Sequence, residues 1–169
     1  MFCKLCAYEN TVNTTFKHID TSDLKRIRKI AKKTIDHSYR YFLDDVSVDH
    51  YLESGHLETY LNTNINNTWS LHQDNNILGF SVCIDNVIDF MVIDSDHHRQ
   101  GLGTILLQHC EGLLFENHHV IALESFEKNT KAYEFYEANN WEKIAKYKDS
   151  KYNEVKYIFR KRLLSDTNL

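Results

Sequence analysis

The chain has 169 residues, of which 42% are hydrophobic and 26% charged, and its formal net charge is −4. Such a length and composition are typical of one soluble globular domain with a single sizeable core. The negative balance argues against bulk attraction to nucleic acid, and no apolar run approaches the roughly 20 residues that span a bilayer. The first residues lack the basic-then-apolar order of a secretory signal, so we expect a cytoplasmic protein.

The four cysteines do not indicate a metal site. Cys3 and Cys6 form a C-x-x-C spacing, whereas Cys83 and Cys110 stand alone inside apolar segments. A zinc site needs a second spaced pair of ligands, which the sequence does not offer. We therefore expect reduced thiols in a reducing compartment and no bound metal.

The first third of the chain is predicted to contain one strand and two helices. Residues 14–20 alternate as a strand does, and Thr21 or Ser22 can cap a helix whose apolar residues recur at helical spacing up to Ile35. The opposite face of this helix carries six lysines and arginines. We interpret it as a solvated face, because the chain is acidic overall. A second helix is predicted from about Val48 to Leu61.

From Thr68 the pattern changes to alternating strands. Strands are predicted over 77–84 and 87–93, and the second is almost wholly apolar, as expected for a central strand. The remaining predicted elements are a helix that ends near Asn117, a strand over 120–123, a helix over 129–138 and strands over 142–148 and 155–163. This order predicts a single mixed α/β domain over residues 1–169, with one large sheet flanked by helices.

The stretch HHRQGLGT, residues 97–104, joins an apolar strand to an apolar helix. Its two glycines allow backbone N–H groups to approach a ligand closely. A dinucleotide fingerprint would need a third glycine where Leu106 stands, and a mononucleotide loop would need a G-K-[ST] tripeptide, which is absent from the sequence. What remains is a loop that delivers N–H groups to a pyrophosphate at a helix N-terminus.

Residues 87–107, VIDFMVIDSDHHRQGLGTILL, resemble the acetyl-CoA-binding motif of the Gcn5-related N-acetyltransferase (GNAT) superfamily. The next motif of that superfamily, N-x-x-A-x-x-F-Y-E, resembles Asn129, Ala132, Phe135, Tyr136 and Glu137. The resemblance covers residues 68–163, and the layout is similar to the small bacterial stand-alone members. It implies a mostly antiparallel central sheet of six to seven strands flanked by about four helices.

The resemblance also implies an activity, which is transfer of the acetyl group of the co-substrate acetyl-CoA to a primary amine of a small molecule or peptide. Backbone groups of Met91, Val92 and Ile93 would hold the pantetheine arm, and the N–H of Val92 would polarise the thioester carbonyl. Further coenzyme contacts would come from Asn129 and Tyr136. The pyrophosphate would be cradled by His98, Arg99, Gln100, Gly101, Leu102, Gly103 and Thr104. His98 is a departure, because the family pattern places Gln or Arg there.

Tyr136 is the candidate general acid. A tyrosine with a pKa of about 10 stays protonated at neutral pH and can donate to a thiolate whose conjugate acid has a pKa of about 8.5. Asp89 interrupts an apolar strand and Glu124 ends the next one, so they are the candidate bases. The competing interpretation is that the tyrosine is a core residue and that both carboxylates simply face solvent.

The sequence leaves the amine acceptor open. An acidic segment could line the acceptor side and favour a cationic amine, or it could be a solvated helix face; it holds Asp44, Asp45, Asp49, Glu53 and Glu58. An alternative function is a non-catalytic module of the same fold that binds CoA or acetyl-CoA. A metal-dependent hydrolase is disfavoured, since the paired histidines lack H-E-x-x-H spacing. The expected partners include neither nucleic acid nor membrane, and the protein is expected to be a monomer or a homodimer.

Overall fold

The computed structural model describes residues 13–163, and within this range it contains seven strands and five helices. The strands are β1 (Thr14–His18), β2 (Thr68–Gln73), β3 (Asn76–Ile84), β4 (Val87–Ile93), β5 (Val120–Phe126), β6 (Glu142–Asp149) and β7 (Glu154–Arg162). The helices are α1 (Leu24–Tyr39), α2 (Asp45–Glu53), α3 (His56–Thr63), α4 (Leu102–Phe115) and α5 (Thr130–Ala138). Cys3 and Cys6 lie outside the described residues.

The strands form one sheet in the order β1-β2-β3-β4-β5-β7-β6. Every neighbouring pair is antiparallel except β4 and β5, which are parallel. The mixed, mostly antiparallel α/β fold predicted from the sequence is therefore confirmed. Every helix within residues 13–163 is too short or too polar to cross a bilayer.

Helices cover both faces of the sheet. On one face, α1, α2 and α3 pack a core that includes Ile27, Ile30 and Leu57 against Phe80 of β3. On the other face, α4 and α5 pack a second core against β4, β5 and β7. The apolar stripe predicted for α1 is confirmed. The buried residues of this helix, among them Leu24, Ile27 and Ala31, recur every three or four positions and so share one face.

Two elements differ from the sequence prediction by more than two residues. The single helix predicted over 48–61 is wrong: the segment forms α2 and α3, which are separated at Gly55, where φ is +74°. This left-handed backbone is easy for glycine and interrupts the helix. The strand predicted over 120–123 continues to Phe126, so Glu124 lies inside β5 and pairs with Ile158 of β7.

The basic face of α1 is only partly solvated, which corrects the sequence interpretation. Arg26 and Lys33 each reach Asp94, at 3.0 Å, just after the end of β4. Lys32 forms a 2.7 Å ion pair with Glu58 of α3. Asp94 is only 3% exposed, so these contacts fasten α1 to the end of the central strand.

Candidate active site

The central feature of the molecule is a gap between β4 and β5. Their parallel pairing covers only Val87 with Ala122 and Ile88 with Leu123, after which the two strands separate. In a strand, alternate residues direct their N–H and C=O groups to each side, so part of the β4 main chain faces the gap. The strands border a cleft of about 550 Å³, within the range of small-molecule sites.

A β-bulge places Asp89 at the mouth of this gap. Val82 of β3 pairs with Phe90, and Cys83 pairs with Ile88, so Asp89 is an extra residue in β4. A bulge of this kind redirects a side chain and increases the local twist. As a result Phe90 packs with the core under α1, while Ile88 packs with the core under α4.

All three residues predicted from the sequence to be catalytic line this cleft: Asp89, Glu124 and Tyr136. The cleft also includes Met91 and Asn129 from the predicted coenzyme contacts. The structure thus brings together side chains from β4, β5 and α5. Within the described part of the chain, no three His, Cys, Asp or Glu side chains converge as ligands of a metal ion would.

Each of the two carboxylates is held by a tyrosine from another element. The Tyr60 hydroxyl of α3 donates to Oδ2 of Asp89. The Tyr147 hydroxyl of β6 donates to Oε2 of Glu124 at 2.6 Å. Burial raises the pKa of both tyrosines above the ordinary value, and the hydrogen bond to the carboxylate raises it further, so both phenols remain donors.

Tyr136 lies on α5 among aromatic rings. The centroid of its ring is 5.7 Å from that of Phe159 and 6.4 Å from that of Trp141. Burial raises the pKa of Tyr136 above its usual value, because the phenolate would lose hydration there. The hydroxyl is therefore protonated throughout the neutral pH range.

The glycine loop forms a left-handed turn into α4. Arg99 has φ +63° and Gly101, the N-cap residue, has φ +78°. Because this N-cap is a glycine, it has no side chain that could accept from the first-turn N–H groups. The amides of Leu102, Gly103 and Thr104 are consequently available at the positive end of the helix dipole. The site fits a pyrophosphate through its backbone donors.

The side chains of this loop contribute unequally. His98 directs Nε2 to the carbonyl oxygen of Ile93, at 2.9 Å, so its ring fastens the loop to the end of β4. Leu102 is buried, so only its main chain can meet a ligand. Arg99 and Gln100 are exposed. The side chains of Arg99 and Gln100 therefore lie outside the core and can reach a pyrophosphate.

Two predicted coenzyme contacts have structural roles as well. The carbonyl of Ile93 accepts from the Thr34 hydroxyl at 3.1 Å in addition to His98, which leaves its N–H as the group for a ligand. Asn129 is the N-cap of α5, and its Oδ1 accepts from the N–H of Ala132.

Val92 departs from the expectation, because it pairs with Phe80 in the ladder where the N–H of Asp94 donates to the carbonyl of Leu78. Strand alternation therefore directs the N–H and C=O of Val92 to β3 and leaves those of Met91 and Ile93 facing the gap.

The acidic segment of α2 and α3 lies outside the lining of the cleft. Arg40 binds Asp45 at 3.0 Å and also pairs with Asp49, while Glu58 pairs with Lys32. Asp44 caps α2 through Ser47. Sequence reasoning missed other residues that line the cleft, since they are scattered over α1, α2, β5, the β6–β7 turn and β7: Tyr39, Tyr51, Phe126, Tyr152 and Lys156.

Comparison with known proteins agrees with this geometry. The profile of the Acetyltransferase (GNAT) family matches residues 33–141. A GCN5-related N-acetyltransferase from Rhodopseudomonas palustris is 13% identical, with a TM-score of 0.76 over 88% of this chain and 95% of that one. The PaiA N-acetyltransferase from Thermoplasma acidophilum was solved in complex with coenzyme A. It is 15% identical, with a TM-score of 0.74 over 89% of this chain and 99% of that one.

A third similar structure is the ribosomal-protein-alanine N-acetyltransferase from Escherichia coli. It is 18% identical, with a TM-score of 0.63 over 92% of this chain and 98% of that one. At such identities the likeness concerns the fold alone. No curated protein sequence matched the chain.

Proposed function

Because this chain belongs to the GNAT acetyltransferase family, we propose that it transfers the acetyl group of acetyl-CoA to a primary amine by direct attack of the amine on the thioester. The observation that carries the proposal is the cleft between β4 and β5, where one tyrosine and two carboxylates from three separate elements meet. Acetyl-CoA supplies an activated acyl group with a thiolate leaving group.

Binding of the coenzyme depends chiefly on the main chain. The N–H groups of Leu102, Gly103 and Thr104 donate to the diphosphate at the start of α4, and exposed Arg99 adds a positive charge. The separated edge of β4, at Met91 and Ile93, pairs with the amide groups of the pantetheine arm as a neighbouring strand would. A backbone N–H of this edge, that of Met91 or Ile93, donates to the thioester oxygen.

Two proton movements complete the reaction. The attacking amine must be neutral, so a carboxylate of the cleft, Asp89 or Glu124, accepts a proton from the ammonium group directly or through a water molecule. The Tyr136 hydroxyl donates to the sulfur as negative charge develops on it. Its raised pKa keeps the hydroxyl protonated at neutral pH, so it is present as a hydrogen-bond donor to the sulfur.

The test is acetyl-CoA-dependent release of thiol, measured with purified protein and a panel of small amines, amino sugars and peptides. We expect at least one amine to raise thiol release above the rate without amine, and its product to gain the mass of one acetyl group. Tight binding of acetyl-CoA without acetylation of any amine would identify a non-catalytic binding module instead.

A further inference from the structure

The acceptor side of the cleft is bordered by a connected series of aromatic rings. The ring centroids of Tyr39 and Phe126 are 6.0 Å apart, those of Phe126 and Tyr152 are 5.5 Å apart, and those of Tyr152 and Tyr51 are 6.3 Å apart. The first two pairs meet edge to face, which is a preferred arrangement of packed rings. Burial raises the pKa of Tyr51 to about 12, so the phenol is neutral at physiological pH.

A second aromatic pair also lines the cleft. Tyr60 and Phe90 meet edge to face with their ring centroids 6.1 Å apart, next to Asp89. The apolar side chains of Ile35 and Val48 also line the cleft. A substrate in this space therefore contacts rings and aliphatic groups as well as the polar side chains of the cleft.

Three charged side chains from residues 13–163 line the cleft: Asp89, Glu124 and Lys156. Glu124 lies 3.7 Å from the ammonium group of Lys156, which also binds Asp149 at 2.8 Å. Asp89 accepts a hydrogen bond from the neutral Tyr60 hydroxyl. Among the described residues that line the cleft, Asp89 is thus the carboxylate without a cationic partner, and it offers a place for one ammonium group.

The nearby acidic residues of α1 and α2 lie outside the lining of the cleft and gather around one cation. Arg40 joins Asp36, at 2.6 Å, to Asp45, at 3.0 Å, and to Asp49. Placing a second ammonium group of a substrate among aromatic rings without a carboxylate would be costly, because the charge would lose its hydration.

We propose that the acceptor is a monoamine with an aromatic or branched aliphatic body, bound with its single ammonium group at Asp89 and its body against Phe126 and Tyr152. The proposal rests on the acetyltransferase function above and specifies its substrate class. Rings near an ammonium group also attract it through their negative faces, and Lys156 already shows this arrangement, with its Nζ 5.1 Å from the centroid of Phe126.

The first experiment compares matched amines by kcat/KM, measured as thiol release. Butylamine and putrescine have the same carbon chain but carry one and two positive charges, and phenethylamine carries one charge and a ring. We expect phenethylamine to exceed butylamine, and butylamine to exceed putrescine, by about tenfold or more in each step. A higher kcat/KM for putrescine, or for a peptide with a free N-terminal amine, would overturn the proposal.

The second experiment uses a pair of tyrosine variants. Tyr152→Ala removes a ring from the wall of the cleft, so we expect the KM for phenethylamine to rise roughly tenfold or more while the KM for acetyl-CoA is unchanged. Tyr41→Ala is the matched control, since Tyr41 is 72% exposed and outside the lining, and its kinetics should equal those of the original chain. Equal KM values for phenethylamine in both variants would exclude the ring wall as the acceptor site.

A measurement of binding separates this proposal from the proposed function. In the presence of CoA, we expect phenethylamine to raise the Tm, putrescine to raise it less, and Tyr152→Ala to abolish the difference. If that pattern is found without acetylation of any amine, the proposed function fails and the inferred amine site stands. If amines are acetylated but the Tm pattern and the kinetic order are both reversed, the function stands and the substrate class is wrong.

Discussion

The Tyr147 hydroxyl donates a 2.6 Å hydrogen bond to Oε2 of Glu124, although β6 is the outermost strand of the sheet and β5 is one of its central strands. Tyr60 holds Asp89 from the opposite side of the cleft in the same manner. Each candidate base is therefore held by a neutral hydroxyl donor, and Glu124 in addition lies 3.7 Å from the ammonium group of Lys156.

This arrangement gives a test of which carboxylate accepts the proton. We expect Asp89→Asn and Glu124→Gln to differ: the variant that removes the base should lose the acid limb of the pH profile of kcat/KM and about 10²–10⁴-fold in rate. The other variant should keep that limb. Retention of the acid limb in both variants would indicate that a chain of water molecules carries the proton.

Substitution of Tyr136 tests the general acid. Tyr136→Phe keeps the ring and its packing but removes the hydroxyl, so kcat should fall about 10²–10⁴-fold with little change in Tm. Tyr133→Phe, on the same helix but outside the lining of the cleft, should retain the original kcat. An unchanged rate in Tyr136→Phe would remove this residue from the mechanism.

Burial raises the pKa of Tyr136, and this has a consequence for the pH profile. Since the protonated form is the active one, ionisation of this residue should reduce kcat only above its ordinary pKa of about 10. We expect the kcat of the original chain to stay level from neutral pH up to that value. A decline of kcat near pH 8 would assign the critical proton to another group.

The glycine loop predicts opposite effects of two alanine substitutions. Gly101→Ala should destabilise the chain by about 1–2 kcal/mol, because φ is +78° in a region that side chains disfavour. Gly103→Ala should leave stability unchanged or raise it by about 0.5–1 kcal/mol, since its Cβ would meet the Phe135 ring at an ordinary 3.5 Å within a helix. Urea unfolding measures both, and equal losses would contradict the assigned backbone conformations.

The buried carboxyl of Asp94 predicts an acid-sensitive contribution to stability. Burial raises its pKa, but the hydrogen bonds from Lys33 and from the N–H of Asp96, together with the charges of Lys33 and Arg26, outweigh burial and hold the pKa of Asp94 below its usual value. Stability from this group is present above the unfolded pKa of about 3.9 and is lost as the pH falls through the lower folded value. Asp94→Asn should therefore lower the free energy of unfolding by about 1.5–3 kcal/mol at neutral pH.

The control for this prediction is Asp96→Asn. Asp96 also pairs with Lys33, but its side chain is 72% exposed. Asp96→Asn should therefore lower the free energy of unfolding by about 1 kcal/mol or less. Urea unfolding measures the difference in free energy of unfolding between Asp94→Asn and the original chain, and this difference should be smaller at about pH 3 than at neutral pH. Equal losses for the two variants would mean that burial of Asp94 does not strengthen its contacts.

The sequence by itself determined the features that depend on local order. Hydrophobic periodicity set the alternation of strands and helices, because burial of one face repeats every two residues in a strand and every three to four in a helix. The spacing of Gly101 and Gly103 identified the turn into α4, and the motif around Tyr136 placed that residue on a helix. These inferences needed only neighbours along the chain.

The tertiary structure decided which distant side chains meet. The bond between Tyr60 and Asp89 joins residues 29 positions apart, and the pair of Arg26 with Asp94 joins residues 68 apart. Neither follows from local pattern, because such contacts depend on strand order, on the bulge at Asp89 and on the separation of β4 from β5. The aromatic wall of the cleft arose in the same way: its rings come from elements that meet only when the sheet and the helices have packed.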